Sequence, residues 1–225
     1  MVQTPTKRLT LNEFLKLPET TPASEYIDGQ IIQKPIPQSE HSVIQTELAP
    51  AINVVVKPKK IARVFTELRC TFGGRSTIPD ISVFLWDRIP RNEQGGIANV
   101  FPIAPDWTIE ILSPDQSQTK VTQNILHCLN HSTQLGWLLD PDERSILIFH
   151  PHQLSSFWRP CGTPSWERLW GRSPWLSWTK IFSGAFWGEG RSPLFKEHRW
   201  PISFNSSEAG ADSANLHLGE GLPVN

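Results

Sequence analysis

TIPDISVF, residues 77–84, and WTIEILSP, residues 107–114, are two apolar segments typical of buried β-strands, and each contains one acidic residue. The acids are Asp80 and Glu110. An ionised carboxylate in an apolar strand is costly unless it is paired or bound to a metal. If the two strands are neighbours, their carboxylates converge. The segments then predict a shared cation or a shared basic group.

Carboxylate oxygens in such a pair are typical ligands of Mg²⁺ or Mn²⁺, which also bind the phosphate oxygens of a substrate. An ion held there polarises the phosphate and activates water, and a nearby lysine can orient or deprotonate that water. Lys120 follows Glu110 by ten residues, at the start of the next predicted helix. We therefore predict that Asp80 and Glu110 bind the metal and that Lys120 acts on the attacking water.

A β-hairpin is predicted in SEYIDGQIIQKP, residues 24–35, which alternates around the dipeptide Asp28-Gly29. Glu25 lies on the first strand of this hairpin and is a third candidate for the site, although a solvated hairpin acid would give the same pattern. Glu67, within VFTELRC, is a further acid whose orientation the pattern leaves open.

Three helices are predicted, chiefly from apolar residues at helical spacing. The first is short and begins with a capping box from Thr10 to Glu13. The second covers residues 39–56 and is kinked or weakened by Pro50, and the third covers residues 117–132.

The intervals between the helices are rich in strand-forming residues. A hairpin that turns at Gly73-Gly74 is predicted from the segments ARVFTELRCTF and TIPDISVFLW. Two later strands, joined by a turn at residues 140–143, are predicted from LGWLLDP and SILIFHP. The order helix, hairpin, helix, strands, helix, strands predicts an α/β fold of the α+β kind. Its mixed sheet is flanked by helices.

The charge balance excludes a protein that is basic overall. The formal net charge is −1, so there is no global field to attract nucleic acid. The one dense basic cluster comprises Lys57, Lys59, Lys60 and Arg63, which either contact a phosphate backbone or form a solvated turn. Any contact with nucleic acid would therefore be local.

The cysteine content and the hydropathy of the chain indicate the cellular compartment of the protein. The three cysteines have no metal-ligand spacing, and the first ten residues lack the apolar run of a signal peptide. No stretch of about 18 apolar residues occurs anywhere in the chain. We therefore predict a cytoplasmic protein without a membrane span.

His127 and His131 are four residues apart on the third predicted helix. This spacing can place two imidazoles on one metal ion, but no third ligand is evident. We interpret them as helix-surface residues, with a zinc site as the less favoured alternative.

The composition changes near Ser155. Seven of the ten tryptophans lie between Trp158 and Trp200, among Ser, Gly, Pro and Arg, where no strand or helix period continues. We therefore separate a tail at residues 155–225 from a domain at residues 8–154. The tail is interpreted either as a Trp-rich binding module or as a disordered or frame-shifted C-terminus, the second being favoured.

Several of these motifs occur in a characteristic order. They are Glu25 before the Asp28-Gly29 turn, Pro79-Asp80 at a strand, Glu110-Ile-Leu-Ser-Pro, a helix, and Gly136-Trp-Leu-Leu-Asp-Pro141. In this order they resemble the putative restriction endonuclease family that is abundant in cyanobacteria, a branch of the PD-(D/E)xK nuclease superfamily. The resemblance covers residues 8–152. It implies a restriction-endonuclease-like fold, Mg²⁺-dependent cleavage of DNA, and DNA as the partner.

The resemblance also implies roles for particular acids. Asp80 and Glu110 match the family's metal-binding acids, and Glu25 matches an acid that precedes the Asp-Gly turn. His41 opens the matching helix.

The lysine of the family lies on the following helix, four residues before a tyrosine. Cys128 takes the tyrosine position here, and Asn124 stands where that lysine is expected. Lys120 lies one helical turn earlier, from which its long side chain can reach the same space.

Two functions stay open at this point. The first is a metal-dependent DNA endonuclease that hydrolyses phosphodiester bonds. The second is a catalytically dead nuclease-like module that binds DNA or protein, which Asn124 and the irregular tail favour. Many such nucleases act as dimers because each site cuts one strand, so a homodimer is a further expectation.

Overall fold

A computed structural model of the chain describes residues 9–114 and 116–158. Within these ranges, α-helices cover α1 (Leu11–Phe14), α2 (Ser39–Val56) and α3 (Gln118–Leu129). The strands are β1 (Ser24–Ile27), β2 (Gln30–Gln33), β3 (Ala62–Thr66), β4 (Cys70–Phe72), β5 (Arg75–Thr77), β6 (Ile81–Leu85), β7 (Trp107–Ile111), β8 (Leu135–Asp140), β9 (Ser145–Phe149) and β10 (Ser156–Trp158). The predicted capping box between Thr10 and Glu13 is present at α1.

The strands form two sheets. The smaller has the order β2-β1-β5-β4, with antiparallel pairs throughout. The larger has the order β10-β9-β8-β7-β6-β3, in which β7 and β8 run parallel and the other neighbours antiparallel. The predicted α/β class is confirmed, although the strands are divided between two sheets where one was expected.

The hairpin of β1 and β2 turns at Asp28 and Gly29, as predicted. Both residues have positive φ, 52° and 85°, which is the backbone conformation that a two-residue hairpin turn requires. The short turn fixes the register of the strands, from Ile27 opposite Gln30 to Ser24 opposite Gln33.

The chain leaves the larger sheet at Glu67 and returns to it at Asp80. β3 ends just before Glu67 and β6 begins just after Asp80, and these two strands pair with each other. The β4–β5 hairpin between them belongs to the smaller sheet. The backbone N–H of Glu67 donates to the carbonyl of Asp80 at 3.2 Å. We call Glu67 and Asp80 the crossing residues.

The prediction of a single hairpin over this region is therefore wrong. The turn at Gly73-Gly74 joins only β4 and β5, while the outer strands form a second pair in the other sheet. Glu67 has a positive φ of 50°, and Pro79 has no N–H to donate to a ladder. Both features interrupt strand pairing at the places where the chain crosses.

Two helices cover opposite faces of the larger sheet. On β8, Trp137 and Leu139 pack in the core beneath α2, whereas Leu138 packs with Ile125 of α3. Side chains alternate between the two faces of a strand, so both faces of β8 are buried. Pro50 does not end α2. Its position is exposed, so water can reach the carbonyl that loses its helical partner.

β10 pairs antiparallel with β9 at the edge of the larger sheet. The sheet therefore continues past residue 154, where the sequence prediction ended the domain. The rest of the predicted tail, residues 159–225, lies outside the described residues. In the described part of the chain, no helix has the length and apolar character needed to cross a bilayer.

Candidate metal centre

Asp80 lies directly before β6 and level with Glu110 of β7. In this antiparallel pair Ile81 is opposite Ile109, so the next position outward sets Asp80 opposite Glu110. The Oδ2 atom of Asp80 accepts the backbone N–H of Ile111 at 2.8 Å, which holds the carboxylate against β7. Both acids are buried. The two strands are neighbours, which is the condition under which the two carboxylates were expected to converge.

Lys34, which follows β2, forms an ion pair with Asp80. Its Nζ lies 2.7 Å from Asp80 Oδ1 and 3.2 Å from Glu67 Oε2. Nζ also donates to the carbonyl of Ile78 at 2.7 Å. An ammonium group has three protons, and each has an acceptor here. Lys34 was not predicted from the sequence, although a shared basic group was expected at this place.

The ion pair changes the pKa of both partners. Burial alone would raise the pKa of Asp80, but the charge of Lys34 and the contact with His41 outweigh burial and lower it. Burial alone would lower the pKa of Lys34, but Asp80, Glu110 and Glu67 raise it above its ordinary value. The pair therefore favours an ionised Asp80 beside a protonated Lys34.

The hairpin register is the signal that could have identified Lys34. A two-residue turn at Asp28-Gly29 places Glu25 opposite Ile32. Lys34 is two residues beyond Ile32, so it shares the face of the hairpin that carries Glu25. The backbone N–H of Lys34 bonds to the carbonyl of Ala23 at 2.8 Å, which continues the same register.

Glu25 is a buried residue of β1 and supports the segment that leads to Asp80. Its Oε1 accepts the backbone N–H of Ile78 at 2.7 Å. Burial raises the pKa of Glu25, partly offset by this hydrogen bond and by the charge of Lys34. Glu25 is therefore not a solvated hairpin acid.

Glu110 is buried on the face of β7 opposite the side chains of Ile109 and Ile111. Burial, followed by the negative charge of Asp80, raises the pKa of Glu110 well above its usual range, with Lys34 opposing the rise. Burial and then the charge of Glu110 also raise the pKa of the Cys128 thiol in α3. Glu110 is level with Leu138, which packs with Ile125 of α3, so its side chain lies on the side of the sheet that α3 covers.

His41 lies in the first turn of α2 and points into the same site. Its Nδ1 is 3.1 Å from Ser113 Oγ, and its Nε2 is 3.4 Å from Asp80 Oδ1. The second contact does not have hydrogen-bond geometry, so Nε2 is a buried ring nitrogen without a hydrogen-bond partner. Buried polar atoms are rarely left in this state. If Nδ1 donates to Ser113, Nε2 carries a lone pair that a metal ion can use.

Glu67 completes a group of three ligand-bearing residues. One ligand atom from each of His41, Glu67 and Asp80 can be chosen so that all three lie within 4.8 Å of one another. The Glu67 side chain is 40% exposed, so the group is open to solvent on one side. Gln45 holds Glu67 by donating to its Oε1 at 3.0 Å. Two carboxylates suit a divalent cation such as Mn²⁺ or Mg²⁺, and the additional imidazole nitrogen favours Mn²⁺ over Mg²⁺.

Comparison with known protein families identifies the family of this chain. A family model described as "Uma2: Putative restriction endonuclease" matches residues 11–170. The chain belongs to the Uma2 family. The family resemblance inferred from the sequence is thereby confirmed, and the match continues past residue 152, where the inferred resemblance ended.

A solved structure supports the same assignment of the Uma2 fold. It is described as the crystal structure of a putative nuclease belonging to DUF820 from Anabaena variabilis ATCC 29413. The two sequences are 65% identical, and the match covers 70% of this chain and 90% of the other, with a TM-score of 0.67. No curated protein matches the chain.

Lys120 and Asn124 lie on α3, the helix on which the sequence analysis placed the lysine of this Uma2 chain. Lys120 is exposed in the first turn, and Asn124 is half-buried one turn later. The hydrogen bonds and ion pairs found among the described residues connect Lys120 to neither Asp80 nor Glu110. The basic group that the structure brings to the acids is Lys34, and the role of Lys120 stays a prediction.

The other polar features of this Uma2 chain lie outside the group of acids. His127 stacks on the ring of Phe72 at 5.0 Å, and His131 bonds through Nδ1 to the His127 carbonyl at 2.7 Å. Within the described residues, neither histidine belongs to a group of three potential metal ligands. Lys57, Lys59 and Lys60 are exposed around the turn that follows α2.

Proposed function

We propose that this Uma2 chain is a metal-dependent endonuclease that hydrolyses phosphodiester bonds of DNA. The observation that carries the proposal is that one ligand atom from each of His41, Glu67 and Asp80 lies within 4.8 Å of the other two, at the crossing residues. DNA as the substrate rests on the family description and on the nuclease neighbour. Mg²⁺ or Mn²⁺ as the cofactor rests on the two carboxylates and the imidazole nitrogen.

Asp80 has the central role in this proposal. Its Oδ1 faces His41 and Lys34 while its Oδ2 is held by the N–H of Ile111, so the carboxylate is fixed in position before any ligand arrives. A divalent cation bound at Asp80 would supply Lewis-acid polarisation of a phosphate and a water of lowered pKa. A rigid carboxylate favours such binding because little conformational entropy is lost.

Glu110 is proposed as a second metal-binding carboxylate. Burial and the charge of Asp80 raise its pKa, and a cation close to both groups would offset the repulsion between them. Glu25 acts indirectly, because its hydrogen bond to Ile78 positions the segment before Asp80. Lys34 carries the positive charge beside the acids, whereas Lys120 is kept as the predicted water-orienting residue on the exposed first turn of α3.

A plasmid-cleavage assay tests the proposal. The purified full chain is incubated with supercoiled plasmid and Mn²⁺ or Mg²⁺, and nicked and linear products are measured over time. We expect cleavage by the parent. In Asp80→Asn the rate should fall by more than the roughly 10–100-fold that loss of an outer-shell partner costs. Asp87→Asn is the matched control, because Asp87 is exposed in the 3-10 turn after β6.

Two results would contradict the proposal. One is a parent protein that cuts no plasmid with either metal, and the other is an Asp80→Asn variant that cuts as fast as the parent. The number of strands cut per event also tests the expected homodimer, because a lone site nicks one strand whereas two sites together linearise the plasmid. Sedimentation with and without DNA measures the assembly directly.

A second candidate function is a nuclease-like module that binds DNA or protein without cutting. The observation in its favour is Asn124, half-buried on α3 where the resemblance expects a lysine. Fluorescence anisotropy with a labelled duplex distinguishes the two functions. Binding that is independent of Mn²⁺ and of Asp80, together with an absence of cleavage, would support the module and exclude the enzyme.

A further inference from the structure

The ammonium group of Lys34 is bound by the same residues that would bind a metal ion. Its three acceptors are Asp80 Oδ1, Glu67 Oε2 and the carbonyl of Ile78. Two of them belong to the group of possible ligands formed with His41. The Lys34 side chain is only 13% exposed, so its charge is held inside the protein rather than in solvent.

His41 Nε2 is a second observation that points to a ligand at this place. This nitrogen is buried, has no hydrogen-bond partner and lies 3.4 Å from Asp80 Oδ1. Lys34 Nζ lies 2.7 Å from the same oxygen. The ammonium therefore supplies one positive charge to two carboxylates, and if Nδ1 of His41 donates to Ser113, Nε2 carries a lone pair that a metal ion can accept.

A metal ion and the Lys34 ammonium would be too close together if both contacted Asp80 Oδ1. A carboxylate oxygen binds Mg²⁺ at about 2.1 Å, and Nζ lies 2.7 Å from Oδ1, so the two cations could be at most about 5 Å apart. Charges that are largely removed from water repel strongly at this distance. The other oxygen, Oδ2, already accepts the N–H of Ile111.

We propose that Lys34 and a divalent cation are alternative occupants of the position between Asp80, Glu67 and His41. Binding of the metal then requires the ammonium to leave Asp80 Oδ1. This inference deepens the proposed function and rests on its metal site. The route out is short, because Lys34 follows the edge strand β2 and the residues on both sides of it are exposed. The released ammonium would lie beside the site, where it can meet the phosphate of a substrate.

The Lys34 ammonium allows the fold to tolerate its buried acids when no metal is bound. Asp80 and Glu110 are buried and Glu25 lies next to them, so uncompensated charges would destabilise the fold. Lys34 supplies one positive charge to this group from a position directly after the edge strand β2. The Lys34 ammonium thus acts as the counter-ion of the acids until a divalent cation replaces it.

Calorimetric and thermal titrations of the full chain with Mn²⁺ test the exchange. The variants are Lys34→Met, Lys34→Arg and the control Lys16→Met, in which Lys16 is an exposed residue after α1. We expect Lys34→Met to have a lower Tm than the parent in EDTA and to bind Mn²⁺ at least about tenfold more tightly, because the competing charge is gone. Mn²⁺ should therefore raise the Tm of Lys34→Met more than that of the parent. Lys34→Arg and Lys16→Met should bind no more tightly than the parent.

Lysine labelling of the parent gives a measurement that needs no variant. In EDTA, acetylation of Lys34 followed by peptide mass spectrometry should be slow relative to Lys16. At saturating Mn²⁺ the rate at Lys34 should rise at least about tenfold, because the side chain leaves its buried ion pair. This experiment decides the question if Lys34→Met fails to fold.

The outcomes separate this proposal from the function on which it rests. Mn²⁺ affinity that is unchanged or weaker in Lys34→Met overturns the exchange but leaves the metal site intact. An unchanged labelling rate of Lys34 in the Mn²⁺-bound parent does the same. Absence of Mn²⁺ binding in every folded variant, the parent included, overturns both the exchange and the metal-dependent function.

Discussion

The carboxylate of Glu25 accepts the backbone N–H of Ile78 at 2.7 Å, and Ile78 is two residues before Asp80. Both partners are buried, so neither can exchange this hydrogen bond for one to water without local opening. Glu25 belongs to β1 of the smaller sheet, whereas Asp80 directly precedes β6 of the larger one. The bond therefore joins the hairpin to the segment that presents the central acid of the site.

Glu25→Ala should destabilise the fold because it leaves the N–H of Ile78 buried without an acceptor. An unsatisfied buried donor costs about 1–3 kcal/mol, whereas Glu25→Gln keeps an acceptor oxygen and should cost less. Urea unfolding measures both variants, with Glu93→Ala as the control at an exposed loop position. Equal stability of Glu25→Ala and Glu93→Ala would show that the hydrogen bond is unimportant.

Glu110→Gln should make the metal-free protein more stable at alkaline pH. The pKa of Glu110 is raised by burial and by Asp80, so the folded state keeps a proton that the unfolded state releases above about pH 4.5. The free energy of unfolding contributed by Glu110 therefore falls as the pH rises from 4.5 through the folded pKa. Urea unfolding of parent and variant in EDTA between pH 5 and 9 gives the difference. A difference that is constant with pH would contradict the raised pKa.

His127 should make the fold less stable in acid. Burial, and then the charge of Arg75, lower the pKa of His127 to about 4, whereas an unperturbed histidine titrates near pH 6.5. Below pH 6.5 the unfolded state binds a proton at His127, whereas the folded state does not bind it until the pH falls to about 4. Stability is therefore lost between about pH 6.5 and pH 4. The variant His127→Phe keeps a ring against Phe72 and should lose less stability over this range, as measured by urea unfolding.

The exposed His152 provides the control for this pH effect. His152→Asn should follow the parent through the acid range, because asparagine tolerates the positive φ of 58° at that position. If His127→Phe and the parent lose stability in parallel, the titration that weakens the fold belongs to other groups.

Gly136→Ala should weaken the contact between α3 and β8. A methyl group at Gly136 would overlap with the Cγ2 of Ile125, which is fully buried in α3. Overpacking of a close contact typically costs about 1–3 kcal/mol. Thermal and urea unfolding measure the loss, and Gly96→Ala is the control, because its added methyl would meet the exposed Asn92 side chain at 3.1 Å and no buried residue.

Ile125→Leu should partly rescue Gly136→Ala because leucine lacks the methyl group on Cβ while keeping the same volume. A double-mutant cycle measures the coupling between the two positions. Additive losses in the double variant would mean that Gly136 matters for backbone conformation and not for this contact.

Local patterns predicted much of the fold. The Asp28-Gly29 turn, the capping box at α1 and the bounds of α2 follow from residues close together in sequence, and the structure confirms them. Asp80 and Glu110 were also identified as acids of buried apolar segments, and both are buried. This prediction was possible because each acid interrupts a single apolar segment, which is a feature visible within eight residues.

The parts that the sequence did not predict depend on distant contacts. The division of the strands between two sheets depends on where the chain crosses at Glu67 and Asp80, and no local period marks such a crossing. Lys34 contacts Asp80 across 46 residues of sequence. Its role becomes visible only when the hairpin register is combined with the position of the smaller sheet.

The crossing residues determine where insertions and deletions can be tolerated in this chain. The tip of the β4–β5 hairpin is open on one side, since a side chain added at Gly74 would meet nothing within 4 Å, whereas one at Gly73 would overlap with His131. Extra residues on the Gly74 side would only lengthen a loop. One residue inserted next to Glu67 or Asp80 would instead shift the strand register and turn the acid to the opposite face. We therefore expect natural insertions and deletions to collect at the hairpin tip and to be absent from the two crossings.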